Sequence, residues 1–487
     1  MQRILFALLA TAMLAFTAPS HAQDISGWWR GQVTHNGDSA ELYLGFLTEN
    51  ERPMLRMSMP AARVHAPGFG AWEVDGDTVR IPQAHWTLSI VDGGAAIEGD
   101  LPEFAPGAAP HGRFVRAEAP QSPPAITGAM APPAPAWTVD VGAAVWAGLV
   151  HNAGRNLLYI ATDAGELIAL DPRSGARRWT QTLGAPVRAT PTLHRDRLYV
   201  ATDAALLALN ASSGRILWTA PFGAQRAERL EINAQGSQWD HYSASAAIDG
   251  DLIAVAARDG CVYALALRTG AERWRHCIDA LVTSTPAILG ERVFFAGFDG
   301  AAYALSRADG RELWRRETGQ PIPRDAVVAG DAVLFGSRNY DLYALDPVSG
   351  EIVWRRHFWF SWVDSPQVVR DGVIYSGASD GMHVRAFALD GEPLWSSPAP
   401  GWTWAAPAVG ADTIYAAATG AERYFQPRSG ALLAINRSDG ALRWMLPSAR
   451  PEGAHTYGFA ASPAMAGTRV FAADLTGRIY AFEDPAP

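Results

Sequence analysis

From about residue 135 onward, short apolar runs alternate with turn residues in a repeating pattern. Tyr343–Leu345 reads as a strand, Asp346–Gly350 as a turn, and Glu351–Trp354 as a returning strand. The same unit recurs as LIALDPRSGARRW at Leu167–Trp179, LALNASSGRILW at Leu207–Trp218, YALALRTGAERW at Tyr263–Trp274, YALSRADGRELW at Tyr303–Trp314 and LAINRSDGALRW at Leu433–Trp444. A shortened copy spans Phe387–Trp395. Each copy ends in Gly-x-x-x-Trp, and most successive tryptophans stand about 40 residues apart, the length of one four-stranded propeller blade.

Four β-rich runs fit within one period, for example Thr283–Ile288, Arg292–Ala296, Ala302–Leu305 and Glu312–Arg316. Such a small sheet cannot bury both faces alone, whereas radial stacking buries them and leaves few free edges. The turn glycine suits a positive backbone dihedral. The tryptophan after it, on the outer strand, can wedge against the neighbouring blade. The last repeat ends at Arg478–Phe482 without an outer strand. WTVDVG at Trp137–Gly142 matches WTQTLG at Trp179–Gly184 and WTAPFG at Trp218–Gly223. This N-terminal strand is therefore expected to complete the last blade, giving eight.

Before the repeats, residues 23–116 read as a small β domain. Leu42, Leu44 and Phe46 alternate with Tyr43 and Gly45, Leu55 and Met57 alternate with Arg56 and Ser58, and Asp75-Gly76-Asp77 and Asp92-Gly93-Gly94 are hairpin signals. An antiparallel barrel or sandwich is expected. Residues 117–134 form a Pro/Ala-rich, semi-rigid linker. The propeller takes up residues 135–487. The whole is thus an all-β chain, an eight-bladed β-propeller preceded by a small antiparallel barrel or sandwich.

Composition adds compartment and partners. The 487 residues are 48% hydrophobic and 18% charged, with a net charge of −9. No basic patch stands out, which argues against nucleic acid and anionic membrane surfaces as partners. Residues 1–22 read as a signal peptide, with Arg3, an apolar core at Ile4–Phe16 and Ser20-His21-Ala22 before the cleavage point. That apolar run is too short to span a bilayer. No cysteine precedes Cys261, which excludes a lipid anchor on an N-terminal cysteine. A periplasmic or secreted location is expected.

Chemical motifs are few. Gly377-Ala378-Ser379-Asp380-Gly381 matches G-x-S-x-G, but it falls in a hairpin where other repeats carry ATDAG, AARDG and AGFDG, so it reads as a turn rather than a nucleophile elbow. The histidines show no H-E-x-x-H or paired-Cys pattern, so no metal site is expected. Cys261 and Cys277, equidistant from the turn near Gly270, are expected to form a cross-strand disulfide, which export favours. Two insertions interrupt the period, around Gly223–His241 and Gly420–Ser429. Both connections emerge on one face of a propeller, where loops carry function.

The copies YALDPVSGEIVW and YALALRTGAERW carry a resemblance to pyrroloquinoline quinone (PQQ) repeat propellers over roughly residues 135–483. That family includes quinoprotein dehydrogenases, which hold PQQ and calcium in the channel, and the propeller lipoprotein of the outer-membrane β-barrel assembly machinery, which binds no quinone. The quinone enzymes typically stack the cofactor on adjacent cysteines, and here Cys261 and Cys277 are far apart. The run GWWRGQV at Gly27–Val33 resembles a module found ahead of some exported bacterial hydrolases, and implies no activity. The resemblance implies a non-enzymatic binding or scaffolding protein of the cell envelope with no cofactor. The alternatives are a PQQ-dependent oxidoreductase and a carbohydrate- or peptide-binding module.

Candidate ligand-binding residues are the aromatics outside the repeat register: Trp146, Trp239, Phe358, Trp359, Trp362, Trp402, Trp404 and Tyr457. With Tyr424 and Phe425 they are expected on the loop face, mostly as one arc beside the channel mouth, able to stack an envelope protein's side chains, a small aromatic ligand or a sugar. Channel-facing polar residues are Arg188, Asp240, Arg324, Asp325 and Asp364; Arg324 and Asp325, being adjacent on a strand, need not pair with each other. No catalytic residue is assigned.

Overall fold

The structure is a computed structural model that describes residues 23–35, 37–60, 63–65, 68–101, 110–229, 240–422 and 428–483. The expected signal peptide, Trp239, Tyr424 and Phe425 lie outside these residues.

Eight antiparallel blades, each built on four strands, form the propeller, and the first seven are ordered by the chain from the innermost strand outward. The second and third strands of the blades are buried along almost their whole length: Leu157–Ala161, Leu252–Ala256 and Asp341–Leu345 have no exposed residue. This is the burial expected of sheets covered on both faces, and it explains why these runs read as continuously apolar.

The Gly-x-x-x-Trp signature has a mechanical explanation. Gly310 has φ 74° and Gly350 has φ 71°, conformations that favour glycine. A Cβ on Gly310 would stand 2.6 Å from the Trp274 ring, and one on Gly350 would stand 2.6 Å from the Trp314 ring. From Trp179 to Trp395, each repeat tryptophan lies in this way on the turn glycine of the next blade. In part of the ring the indole N–H also donates to a carbonyl of that same turn, as in Trp274 to Arg307 (2.8 Å), Trp354 to Leu389 (2.9 Å) and Trp395 to Arg437 (3.0 Å), whereas the buried indole nitrogens of Trp179, Trp218 and Trp444 have no hydrogen-bond partner. The repeat's two invariant features are two halves of one inter-blade joint.

Ring closure follows the sequence expectation. Trp137–Asp140 pairs with Arg478–Glu483, Trp137 standing opposite Ala481, so the N-terminal strand is the outer strand of the eighth blade. Trp137 repeats the joint: it packs on Gly175, and its indole donates to Pro172 O at 3.2 Å. The linker contributes as well. Ala129 N and Met130 N donate to Leu442 O (3.1 Å) and Arg443 O (2.8 Å) on the outer edge of the seventh blade.

Ahead of the propeller, a nine-stranded antiparallel sheet runs in the spatial order Gly68–Gly70, Arg52–Ser58, Asp38–Glu49, Gly27–His35, His111–Ala117, Ala96–Asp100, Trp86–Val91, Thr78–Ile81, Glu73–Asp75. It curls into a nearly closed barrel. Leu42, Leu44, Phe46, Leu55 and Met57 fill it, as the period-two pattern requires, with Trp29 donating its indole N–H to Ile25 O at 2.8 Å.

No helix among the described residues is long and apolar enough to cross a membrane.

Candidate functional site

The loop face gathers most of the aromatic residues singled out above. Trp402 and Trp404 stack at 4.4 Å, and Trp362, Tyr242 and Ala421 pack with them. Their anchors come from the G-x-S-x-G hairpin: the Trp404 indole donates to Ser379 Oγ at 3.2 Å, and the Trp402 indole donates to Asp380 Oδ1 at 2.8 Å. Ser379 is buried in a turn between Val373–Ser376 and His383–Ala388. The hairpin thus carries no helix after the serine, as the sequence reading requires. Trp146 stacks on His241 at 5.0 Å and meets Tyr242 edge-on at 5.9 Å. Tyr457 is half-buried on the added strand Thr456–Gly458, which extends the seventh blade by pairing with Thr413–Ala421.

Phe358 and Trp359 do not join this group. Trp359 packs into the core of the N-terminal barrel, and Phe358 lies among Leu342, Val363 and Phe387 with the Arg385 guanidinium 4.4 Å above its ring. The expected single arc is divided because the barrel docks beside the fifth blade and draws the Phe358–Phe360 segment toward itself, a contact between domains that periodicity within one domain cannot reveal.

Tyr242 occupies the centre. It enters from the connection ahead of the third blade and its hydroxyl donates to Ala460 O at 2.9 Å, on the segment entering the eighth blade. Its ring lies beneath the Arg324 guanidinium at 3.9 Å. Burial pushes the Tyr242 hydroxyl up to about 12, so it stays protonated and donates. The side chain spans the channel and plugs it.

Around this plug four carboxylates meet guanidiniums. Asp163 accepts from Arg188 at 2.7 and 2.8 Å. Asp203 accepts from Arg229 at 2.5 Å. Asp240 faces both Arg229 (3.1 Å) and Arg258, and Asp364 accepts from Arg338 at 3.0 Å. Burial pushes the Asp240 carboxyl up, while Arg258 and Arg229 pull it down. Burial also drives His241 down to about 3, with Arg188 adding to the effect, so the imidazole is neutral at physiological pH. Arg324 and Asp325 are not partners: Asp325 Oδ1 accepts from Thr285 N at 3.1 Å, while Arg324 lies over Tyr242.

The cavity between these groups measures about 20 Å³ and is lined by Asp240, Tyr242, Arg324, Arg338, Asp364 and Trp404, among others. That is room for about one water. Asp240 Oδ1 and Arg324 Nε, both buried, have no protein partner there.

Sequence reasoning named Arg188, Asp240, Arg324 and Asp364, which all sit at this centre. It missed Arg229, Arg258, Arg338, Asp163 and Asp203. A signal existed for Asp163, since ATDAG occupies the hairpin position aligned with AARDG, where Arg258 and Asp259 lie. Cys261 and Cys277 are directly opposite in the third blade and form a disulfide.

The fold and its centre define an eight-bladed propeller with a side-chain plug and an ion-paired channel, fronted by a barrel. The chain belongs to the family described as outer membrane protein assembly factor BamB, whose profile matches residues 129–238, 208–325 and 299–486. A quinohemoprotein alcohol dehydrogenase (ADHIIG) from Pseudomonas putida HK5 is similar in structure at 11% identity, with a TM-score of 0.54, over 73% of this chain and 78% of that one. BamB from Moraxella catarrhalis is 19% identical over 68% of this chain and 90% of its own, with a TM-score of 0.48. Among curated proteins, the serine/threonine-protein kinase AfsK of Streptomyces griseus is 31% identical over 136 residues, which cover 26% of this chain and 15% of the kinase. This chain therefore matches only a small part of that relative's length. The likeness to the dehydrogenase concerns the fold.

Proposed function

We propose that this protein is an exported, non-enzymatic binding or scaffolding propeller of the cell envelope, which uses its loop face to hold a partner protein. The observation that carries the reading is the state of the channel. Calcium asks for six to eight oxygen ligands, whereas the carboxylates of Asp163, Asp203, Asp240 and Asp364 are each engaged by arginine. A quinone needs a slot far larger than a cavity of about 20 Å³. The residues present do not suit a PQQ–calcium centre, and no step is assigned through one. The Cys261–Cys277 bridge joins the third and outer strands of one blade, where it suits stapling, and a disulfide is in keeping with export. The family description adds outer-membrane assembly as the setting.

In this reading Trp362 and Tyr457 offer aromatic edges to the partner, and the buried Trp146, Trp402 and Trp404 hold the loops in place. The test is chemical cross-linking in the envelope fraction followed by mass spectrometry, with wild type and Trp362→Ala compared. One partner protein captured by wild type and reduced about tenfold in the variant, at nearly unchanged Tm, is the expected result. Equal capture, or co-purification of a sugar or small aromatic molecule alone, contradicts the proposal.

A further inference from the structure

A second cluster, remote from the channel plug, lies where the barrel meets the fifth blade. His35 ends the barrel strand Gly27–His35, Asp341 begins the third strand of the fifth blade, and His357 ends that blade's outer strand. All three are buried, and one donor atom from each lies within 4.8 Å of the other two. Asp341 and His357 are held opposite each other by strand register. In the third blade the equivalent cross-strand position is Cys261 opposite Cys277, the disulfide. The position that is covalently bridged in one blade carries a carboxylate and an imidazole in another, and the barrel adds a second imidazole from outside.

The details are those of a prepared metal-ligand set. His357 Nδ1 lies 2.7 Å from Asp341 Oδ1, close enough for these two atoms to face one ion. On the other side of the ring, His357 Nε2 is buried and has no hydrogen-bond partner. The His35 ring stands 4.6 Å from the His357 ring. Asp341 is itself held: Tyr343 donates its hydroxyl to Oδ2 at 3.1 Å, and Asp341 N donates to Asn339 Oδ1 at 3.0 Å. Trp359 closes the site with its ring 4.6 Å from His357 and 6.4 Å from His35.

We propose that His35, His357 and Asp341 bind a divalent transition-metal ion of the zinc class, and that the ion clamps the barrel to the propeller. Two imidazoles and one carboxylate are a common zinc set that leaves a fourth position for water. Donors around a tetrahedral zinc stand about 3.3 Å apart at bond lengths near 2.0–2.2 Å, so His357 Nδ1 and Asp341 Oδ1, 2.7 Å apart here, separate by roughly half an ångström on binding. A motif search on sequence could not find this site, because its ligands come from two domains and share no short spacing.

The experiment uses the full mature chain, stripped with chelator and titrated with ZnCl₂ and, separately, with CoCl₂. The expected result is one metal ion per chain, visible cobalt absorption of a tetrahedral N/O site, and a Tm several degrees higher with zinc. His35→Gln and Asp341→Asn should each weaken binding about tenfold or more and abolish the zinc-dependent rise in Tm. His35 lies on the barrel hairpin, so its variant remains informative if changes within the blade impair folding. Absence of stoichiometric metal uptake by the wild type, or undiminished uptake by His35→Gln, overturns the proposal.

Discussion

At the scale of single residues the account rests on Tyr242, His241 and their neighbours. Tyr242 makes two kinds of contact that separate cleanly by mutation. Tyr242→Phe removes only the hydrogen bond to Ala460 O and should cost about 1 kcal/mol. Tyr242→Ala also empties the channel centre and should cost about 3–5 kcal/mol, as for other buried aromatics. Urea denaturation of both variants checks this, and an alanine variant as stable as wild type would show that the plug is not part of the core. The histidines give a pH prediction with a definite sign. Burial, first among the causes, pushes both His241 and His383 from 6.5 down to about 3. Below 6.5 the unfolded chain binds protons at these positions that the folded chain does not. Their contribution to stability is therefore complete above pH 6.5 and is lost as pH falls from there toward 3, by roughly 1.4 kcal/mol per pH unit for each histidine. His383→Gln should flatten the profile of Tm against pH in that window; an unchanged slope would mean that the imidazole already titrates freely in the folded protein. At this scale the sequence is informative about residue type and poor about partners. His241 is legible as a residue of the loop face, yet the guanidiniums beside it come from Arg188 and Arg229, on other segments. Arg258 reaches Asp240 across 18 residues, a pairing that no local pattern encodes.

Strands and turns are where sequence and structure agree most closely, because the repeat is local. The glycine of one blade and the tryptophan of the blade before it are fixed by backbone conformation and contact distance, and both recur at one spacing. The strand at Trp137–Asp140 was legible for the same reason: WTVDVG matches the residues that follow Trp179 and Trp218. Its register with Arg478–Glu483 makes a direct prediction. Deleting residues 135–142 should lower Tm sharply, and Trp137→Ala alone should cost about 3–5 kcal/mol, less whatever the half-exposed ring retains; unchanged melting would place closure elsewhere. The disulfide closes a loop with a sequence separation of 16, for which roughly 3 kcal/mol of stabilisation is expected. Thiol titration of the denatured, unreduced protein should find no free thiol, and reduction should lower Tm; two free thiols per chain would refute the bridge. The course of the linker was less legible. Its proline content indicates stiffness, but Ala129 and Met130 attach to the seventh blade through backbone bonds, which leave no mark in side-chain composition.

Over the whole molecule, the propeller sets eight loop clusters around one opening, and two things then give that opening its character. Side chains of the chain itself fill the centre, and a second domain covers part of the rim. Each domain was legible by its own periodicity, period two with hairpins for the barrel and about forty residues for the propeller. Their meeting was not, because the contact joins His35 and Asp38 to His357 and Trp359 across more than three hundred positions. This explains why the expected aromatic arc divides: Trp146, Trp362, Trp402 and Trp404 remain near the channel, while Trp359 serves the barrel. The filled centre bears most on function, since a propeller with this outline can hold a quinone only if its channel has room and unpaired oxygen ligands. The most direct measurement is equilibrium dialysis of the mature protein against PQQ and calcium, with bound quinone read by absorbance. No stoichiometric retention and no dye reduction with alcohols or sugars is the result predicted here. One quinone retained per chain, with dye reduction, would contradict the reading of this protein as a binding propeller.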